Sequence, residues 1–214
     1  MFVADISTLT VGTVSGQADK DLQAVEWAIE KKVDIISISW VTTQHNERLR
    51  EAIKNAVRGS ATHHPILVFC STADEGVYSG KIYPADFEGT MRVAATDKYG
   101  TIRSASQPRV DILVPGEDIE AEGPSYMGEY VKSTVSGSSV ATALASGIAS
   151  LALLLLRTYN ETDARSLKVF SEKEGIMRVF AKMNSEVNGI QLSDLIPNDI
   201  NQLSGAWDIS KFQS

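Results

Sequence analysis

The sequence predicts an α/β domain built around a mainly parallel sheet. Two observations carry that expectation. Short runs of β-branched and aromatic residues alternate along the chain with longer segments whose apolar residues recur at helical spacing. Most of the short runs are apolar at consecutive positions rather than at every second one, the pattern of strands covered on both faces. At 214 residues, 43% hydrophobic and 22% charged, the chain can bury a sizeable core.

Taken in order, strands are expected at Phe2–Ile6, Asp34–Ser39, Ile66–Ser71, Arg92–Thr96 and Val110–Val114. Between the first two, a helix from about Asp21 to Lys32 gathers Leu22, Val25 and Ile29 on one side. A second, Glu47 to Val57, does the same with Leu49, Ile53 and Val57, and both should pack on the sheet. Val140 to Leu156 is apolar on every side, so it is expected to be enclosed by protein. Thr142, Ser146, Gly147 and Ser150 interrupt it, and it falls short of the roughly 20 residues a membrane span needs, so no membrane partner is expected. Beyond Arg157 the sequence turns charged and weakly patterned, which divides the chain into residues 1–157 and a helical C-terminal extension, 158–214. There Ser171-Glu172-Lys173-Glu174 reads as a capping box opening a helix with Ile176, Phe180 and Met183 on one face, a stripe expected to dock on the parent domain. Ile196-Pro197-Asn198-Asp199 is expected to break that helix.

A formal net charge of −7 and the lack of a Lys/Arg cluster argue against a nucleic-acid partner. Cys70 closes the apolar run Ile66-Leu67-Val68-Phe69-Cys70 and reads as a buried structural thiol. His45 lies in a polar turn and His63-His64 just before Pro65, and all three read as surface imidazoles; no ligand cluster accompanies His63-His64, so no metal is expected. No cofactor is expected either, because the chain has neither a Gly-x-Gly-x-x-Gly nor a Walker-type loop to cradle phosphates. No basic-then-apolar leader precedes the first helix, which points to an intracellular setting.

The chemistry is concentrated in Val135-Ser136-Gly137-Ser138-Ser139-Val140-Ala141-Thr142-Ala143, where a small-residue turn delivers serines to the mouth of the long apolar helix. The free N–H groups and positive dipole end of a helix N-terminus suit a serine oxygen and the oxyanion formed when it attacks a carbonyl. Ser138 or Ser139 serves equally well as an ordinary helix cap. A second cluster, Phe69-Cys70-Ser71-Thr72-Ala73-Asp74-Glu75-Gly76, ends a predicted strand, and on its own residues Ala73-Asp74-Glu75-Gly76 is a surface turn.

Gly137-Ser138-Ser139-Val140-Ala141-Thr142-Ala143 resembles the Gly-Thr-Ser-Met-Ala-Thr-Pro motif of the subtilisin-like serine proteases, the subtilases. Ala24-Val25-Glu26-Trp27-Ala28, Ile35-Ile36-Ser37-Ile38-Ser39-Trp40, Tyr83-Pro84-Ala85, Val93-Ala94-Ala95-Thr96-Asp97 and Val110-Asp111-Ile112-Leu113-Val114-Pro115-Gly116 resemble further family segments in the expected order, over about residues 1 to 157. The resemblance implies a three-layer sandwich with a mainly parallel sheet, and a serine endopeptidase cleaving a peptide or protein substrate by acyl transfer through Ser139. It puts Asp74 at the position of an asparagine whose amide donates to the oxyanion. An ionised carboxylate donates nothing there, and losing that donor costs about 10²–10³ in rate in subtilisin itself; a protonated Asp74 would still donate. Ser39-Trp40-Val41 aligns with a Ser-Leu-Gly segment whose backbone pairs with extended substrate. Val41 in place of glycine narrows or misdirects that cleft, and for Trp40 plain packing at a strand end stays open as a reading. Ser71-Thr72-Ala73 would line the opposite wall of the first specificity pocket.

The resemblance also implies an absence. The family's base and its orienting carboxylate lie in His-Gly-Thr and Asp-Ser/Thr-Gly motifs, and the sequence contains neither. The subtilisin-like fold is thus expected to be N-terminally incomplete, with a complementing N-terminal half as one partner. Phe2–Ile6 and Asp34–Ser39 should then face each other across the place of a missing strand, leaving two open edges. Two functions follow: a serine endopeptidase domain inactive on its own, or a non-catalytic pseudoprotease that presents the open edge or the Ile176/Phe180/Met183 stripe to a partner. Asp74, Val41 and Ala143, each a departure from the family pattern, favour the second.

Overall fold

The computed structural model describes residues 3–5, 17–74, 80–102, 109–121, 133–159 and 169–183. Five parallel strands follow one another across a single sheet in sequence order: β1 (Val3–Asp5), β2 (Ile35–Ile38), β3 (Leu67–Ser71), β4 (Met91–Thr96) and β5 (Ile112–Pro115). All five expected strands form, each within a few residues of its expected bounds. A short antiparallel pair, β6 (Ile119–Ala121) and β7 (Ser133–Val135), was not legible in the sequence.

Helices cover both faces. On one side lie α1 (Gln17–Glu30) and α2 (Glu47–Arg58), and on the other α3 (Ser138–Tyr159) and α4 (Lys173–Met183). The period-2 alternation of the strands assigns their residues: Leu67 and Phe69 point to the α3/α4 core, Val68 and Cys70 to the α1/α2 core. Helix α2 starts where the side chain of Asn46 accepts the Leu49 N–H at 3.1 Å, and stops at Gly59, whose φ of 69° suits glycine. Cys70 is fully buried and burial pushes its thiol pKa far up, leaving an inert thiol as expected.

Three expectations are corrected. The gap between the first two strands is closed: β1 pairs directly with β2, Val3 opposite Ile35 and Asp5 opposite Ser37. Facing edges would leave rows of unpaired backbone groups at about 1–3 kcal/mol each when buried, and lateral pairing removes that cost. Second, α3 is enclosed on one side only. It has the length and hydropathy of a membrane span, yet 44% of its apolar window is buried, packed against β2 to β5, while Leu144 and Leu154 stand out in the open. Third, Ile176, Phe180 and Met183 are not available to a partner. They lie within the core at 4% exposure or less, with Phe180 edge-on to Phe69. The helix carrying them opens at Lys173, two residues after the start of the expected capping box. Lys173 Nζ anchors it by donating to Thr90 O at 2.7 Å and to Asp111 at 3.1 Å. The expected breaker at Ile196–Asp199 lies outside the described residues.

Candidate active site

The C-terminal ends of β2 and β3 and the N-terminus of α3 meet at one end of the sheet and line a cavity of about 350 Å³. Ser39, Trp40, Val41, Ser71, Thr72, Ala73, Asp74 and Ser139, every site residue selected from the sequence, line it together with Ser138. They come from three segments at least 30 positions apart, brought together because parallel strands deliver all their C-terminal ends to the same side.

The turn before α3 explains how Ser139 is held. Gly137 has a φ of 141°, which disfavours other residues, and a side chain there would meet Asp74 Oδ2 at 2.9 Å and Ser139 Oγ at 3.4 Å. Its N–H donates to Gly116 O at 2.7 Å, and its carbonyl accepts the first helical bonds from Val140 and Ala141. Gly116 is confined in turn, because an added Cβ would lie 2.8 Å from Ala95 and 2.9 Å from the Gly137 carbonyl. A glycine at this cap position has no side chain to offer the helix. Asp74 supplies one from the end of β3, its Oδ1 accepting the Ser138 N–H at 2.7 Å.

Ser138 is buried and its hydroxyl donates to Thr72 O, while Thr72 is itself fixed by two bonds to Val93 O. Ser138 is therefore a structural tie, a role that sequence reasoning did not separate from that of its neighbour. Ser139 is half-buried, its carbonyl accepts from Ser39 Oγ at 3.4 Å, and its own Oγ has no hydrogen-bond partner among the described residues. Trp40 packs against the α1/α2 core with its Nε1 buried and unpartnered. Asp74 is the one ionisable group on the described lining and keeps its second oxygen on the Gly137/Ser139 side.

No histidine lines the cavity. His45 sits edge-on to Tyr83 at 5.0 Å and to Phe87 at 5.8 Å, and His63 and His64 lie at the opposite end of the sheet. Among the described residues no cluster of potential metal ligands occurs.

Comparison with known proteins fits this geometry. A sequence profile of the subtilase family, peptidase S8, matches residues 2–186. The chain belongs to the subtilase family. An intracellular serine protease of Paenibacillus polymyxa is 34% identical over 164 residues, covering 74% of this chain and 48% of that protein. The major intracellular serine protease of Bacillus subtilis is 30% identical over 175 residues, 79% of this chain and 49% of that one. The chain thus spans about half the length of these subtilases. Among solved structures, the S218A mutant of the PatA protease domain superimposes with a TM-score of 0.62 at 18% identity, over 92% of this chain and 66% of that one, a likeness of fold.

Proposed function

We propose that this chain is the serine-bearing part of a subtilase endopeptidase domain and that Ser139 is its nucleophile. The observation that supports this most is the convergence of all eight selected residues on one cavity, with a Ser139 hydroxyl that has no hydrogen-bond partner among the described residues at the positive end of α3. In the proposed reaction Ser139 Oγ attacks a peptide carbonyl, the Ser139 N–H helps hold the oxyanion, and the chain on the leaving side departs as an amine. The proton of Ser139 must pass to a base, and the described lining offers no imidazole. A complementing segment, upstream in the same polypeptide or separate, would supply the base and its orienting carboxylate. Substrate would lie extended between Ser39-Trp40-Val41 and Ser71-Thr72-Ala73, with Asp74 at the oxyanion position.

Purified 214-residue protein is accordingly expected to show negligible peptide hydrolysis. Turnover at protease-like rates that Ser139→Ala abolishes would overturn the need for a complement. Labelling of Ser139 by a fluorophosphonate in the complemented protein, and none in the Ser139→Ala variant, is the positive result. The alternative is a pseudoprotease acting as an interaction module. It is favoured by Asp74, whose carboxylate is occupied as a helix cap, and by the bare apolar face of α3. Absence of labelling in every complemented form would select it.

A further inference from the structure

The end of the sheet remote from Ser139 holds a second cavity, of about 700 Å³, that the proteolytic reading does not use. Its size suits a small ligand, for which about 300–1,000 Å³ is typical. It forms where α1, α2 and α3 end and where β2 and β3 begin. Among the described residues the charged groups on its lining are of one sign: Lys32, Arg58 and Arg157, with His63 and His64 beside them and no carboxylate. In a chain of formal net charge −7 that is a local reversal.

Asp34 lies beneath this wall, its side chain 7% exposed. Both Arg157 guanidinium ends donate to it, one at 3.1 Å, and His64 Nε2 stands 3.0 Å away. A single carboxylate is thus shared by two groups, and Lys32 and Arg58 have no ion-pair partner among the described residues. Helix ends account for part of the pattern, since Arg58 and Arg157 occupy the last turns of α2 and α3, where carbonyl dipoles favour cations. Each dipole is worth about half a charge, however. Counted over the described residues, three full cations against one carboxylate and three such helix ends leave the cavity positive even with both imidazoles neutral. The hydroxyls of Ser60 and Thr62, 2.9 Å apart in the adjoining turn, add uncharged donors.

We propose that this cavity is an anion site for a phosphate group, with Lys32 and Arg58 as its charged contacts and His63, Ser60 and Thr62 as hydrogen-bond partners. Multiple donors from separate segments and more than one positive charge match a tetrahedral dianion better than a planar monoanion. The phosphate can belong to a free phosphorylated compound or to a lipid headgroup. The site is independent of the reaction assigned to Ser139.

Having three histidines makes the test direct: the imidazole resonances of the full chain are followed while inorganic phosphate is added at constant ionic strength. His63 and His64 are expected to shift saturably, with a midpoint on the order of millimolar, and His45, against Tyr83 and Phe87, to stay still. The exposed double variant Lys32→Ala/Arg58→Ala should raise the midpoint at least about tenfold, Lys32→Arg/Arg58→Lys should restore it, and Ser139→Ala should change nothing. Parallel drift of all three histidines, equal shifts with chloride, or an unchanged midpoint in the double variant would overturn the site. Co-sedimentation with phosphatidic acid vesicles, lost in the double variant, assigns the phosphate to lipid headgroups. Phosphate binding without co-sedimentation assigns it to a free compound.

Discussion

The two faces of α3 differ in side-chain size as well as in burial. Against the sheet, Ala141, Ala145, Ala149 and Ala152 are wholly buried, and the hydroxyls of Thr142 and Ser146 are satisfied by backbone carbonyls one turn back. On the opposite side Leu144 and Leu154 are 38% and 47% exposed, with Ala143 and Gly147 also open. From Ala141 to Ala152 small inward side chains let the helix come close to the strands, Leu153 and Leu156 fill the core at its far end, and Leu144 and Leu154 face away from it. Full burial of a leucine gains about 1.5–3 kcal/mol, so the outward stripe is a reserve of stabilisation that a second surface can claim. That stripe begins at Ala143 and Leu144, about one helical turn after Ser139. A complementing segment seated along α3 would cover that stripe and bring a base to the serine, while in the pseudoprotease alternative the same stripe would take another partner.

The sharpest way to break the comparison is Ser139→Ala, at the junction of the two faces. In a complemented, active protein it should lower turnover by about 10⁶, as loss of the nucleophile does in subtilisin. Stability should stay within about 0.5 kcal/mol, because no described group depends on Ser139 Oγ. Peptidase activity that survives the substitution would separate the cavity from the chemistry. Asp74→Asn comes next. The amide oxygen can still accept the Ser138 N–H, while the NH₂ gives the cavity a donor, so turnover of the complemented protein should rise by up to about 10²–10³. An unchanged rate would remove Asp74 from the oxyanion position and leave it a helix cap alone. On the inward face Ala149→Leu forces extra volume between helix and sheet, and the urea midpoint should fall by the equivalent of about 1–3 kcal/mol.

The sheet and the site were legible for different reasons. Runs such as Ile35–Ile38 and Leu67–Ser71 are apolar on both faces because both faces are covered, and that pattern survives in one dimension. The residues of the candidate site could be picked out because they lie in short motifs, Gly137-Ser138-Ser139 and Ser71-Thr72-Ala73-Asp74. Their joining could not, since the Asp74 to Ser138 bond spans 64 positions. The β1–β2 pairing was misread because it depends on which neighbour is present, a fact no single strand encodes. Hydropathy also overstated the burial of α3: it counts apolar residues without telling which side of the helix another layer will cover.

Charge ties the start of α4 to the sheet, and pH probes that tie. Burial works against the Asp111 carboxylate, but hydrogen bonds from the Arg92 side chain and backbone and from Lys173 outweigh it and keep its pKa below the usual aspartate range. A depressed folded pKa stabilises the protein above the unfolded value, about 3.9, and that contribution is lost as pH falls through the folded one. Acid titration of stability below about pH 4 should therefore be steeper in the parent than in Asp111→Asn, which cannot ionise. Equal slopes would mean that the Arg92–Asp111–Lys173 contacts do not set the acid limb.

The smallest effects belong to the outward face, and they decide whether it is bare in solution. Leu144→Gln and Leu154→Gln should each change stability by no more than about 0.5 kcal/mol, the range of surface substitutions, when unfolding is followed at low protein concentration. The pair together should reduce self-association at high concentration, since they break a contiguous apolar stripe. A buried leucine behaves differently: truncation there costs about 2–5 kcal/mol. A loss of that size at Leu154 would mean that its face is already covered in the folded chain. The asymmetry of α3 would then be no vacancy, and the base for Ser139 would have to arrive by another route.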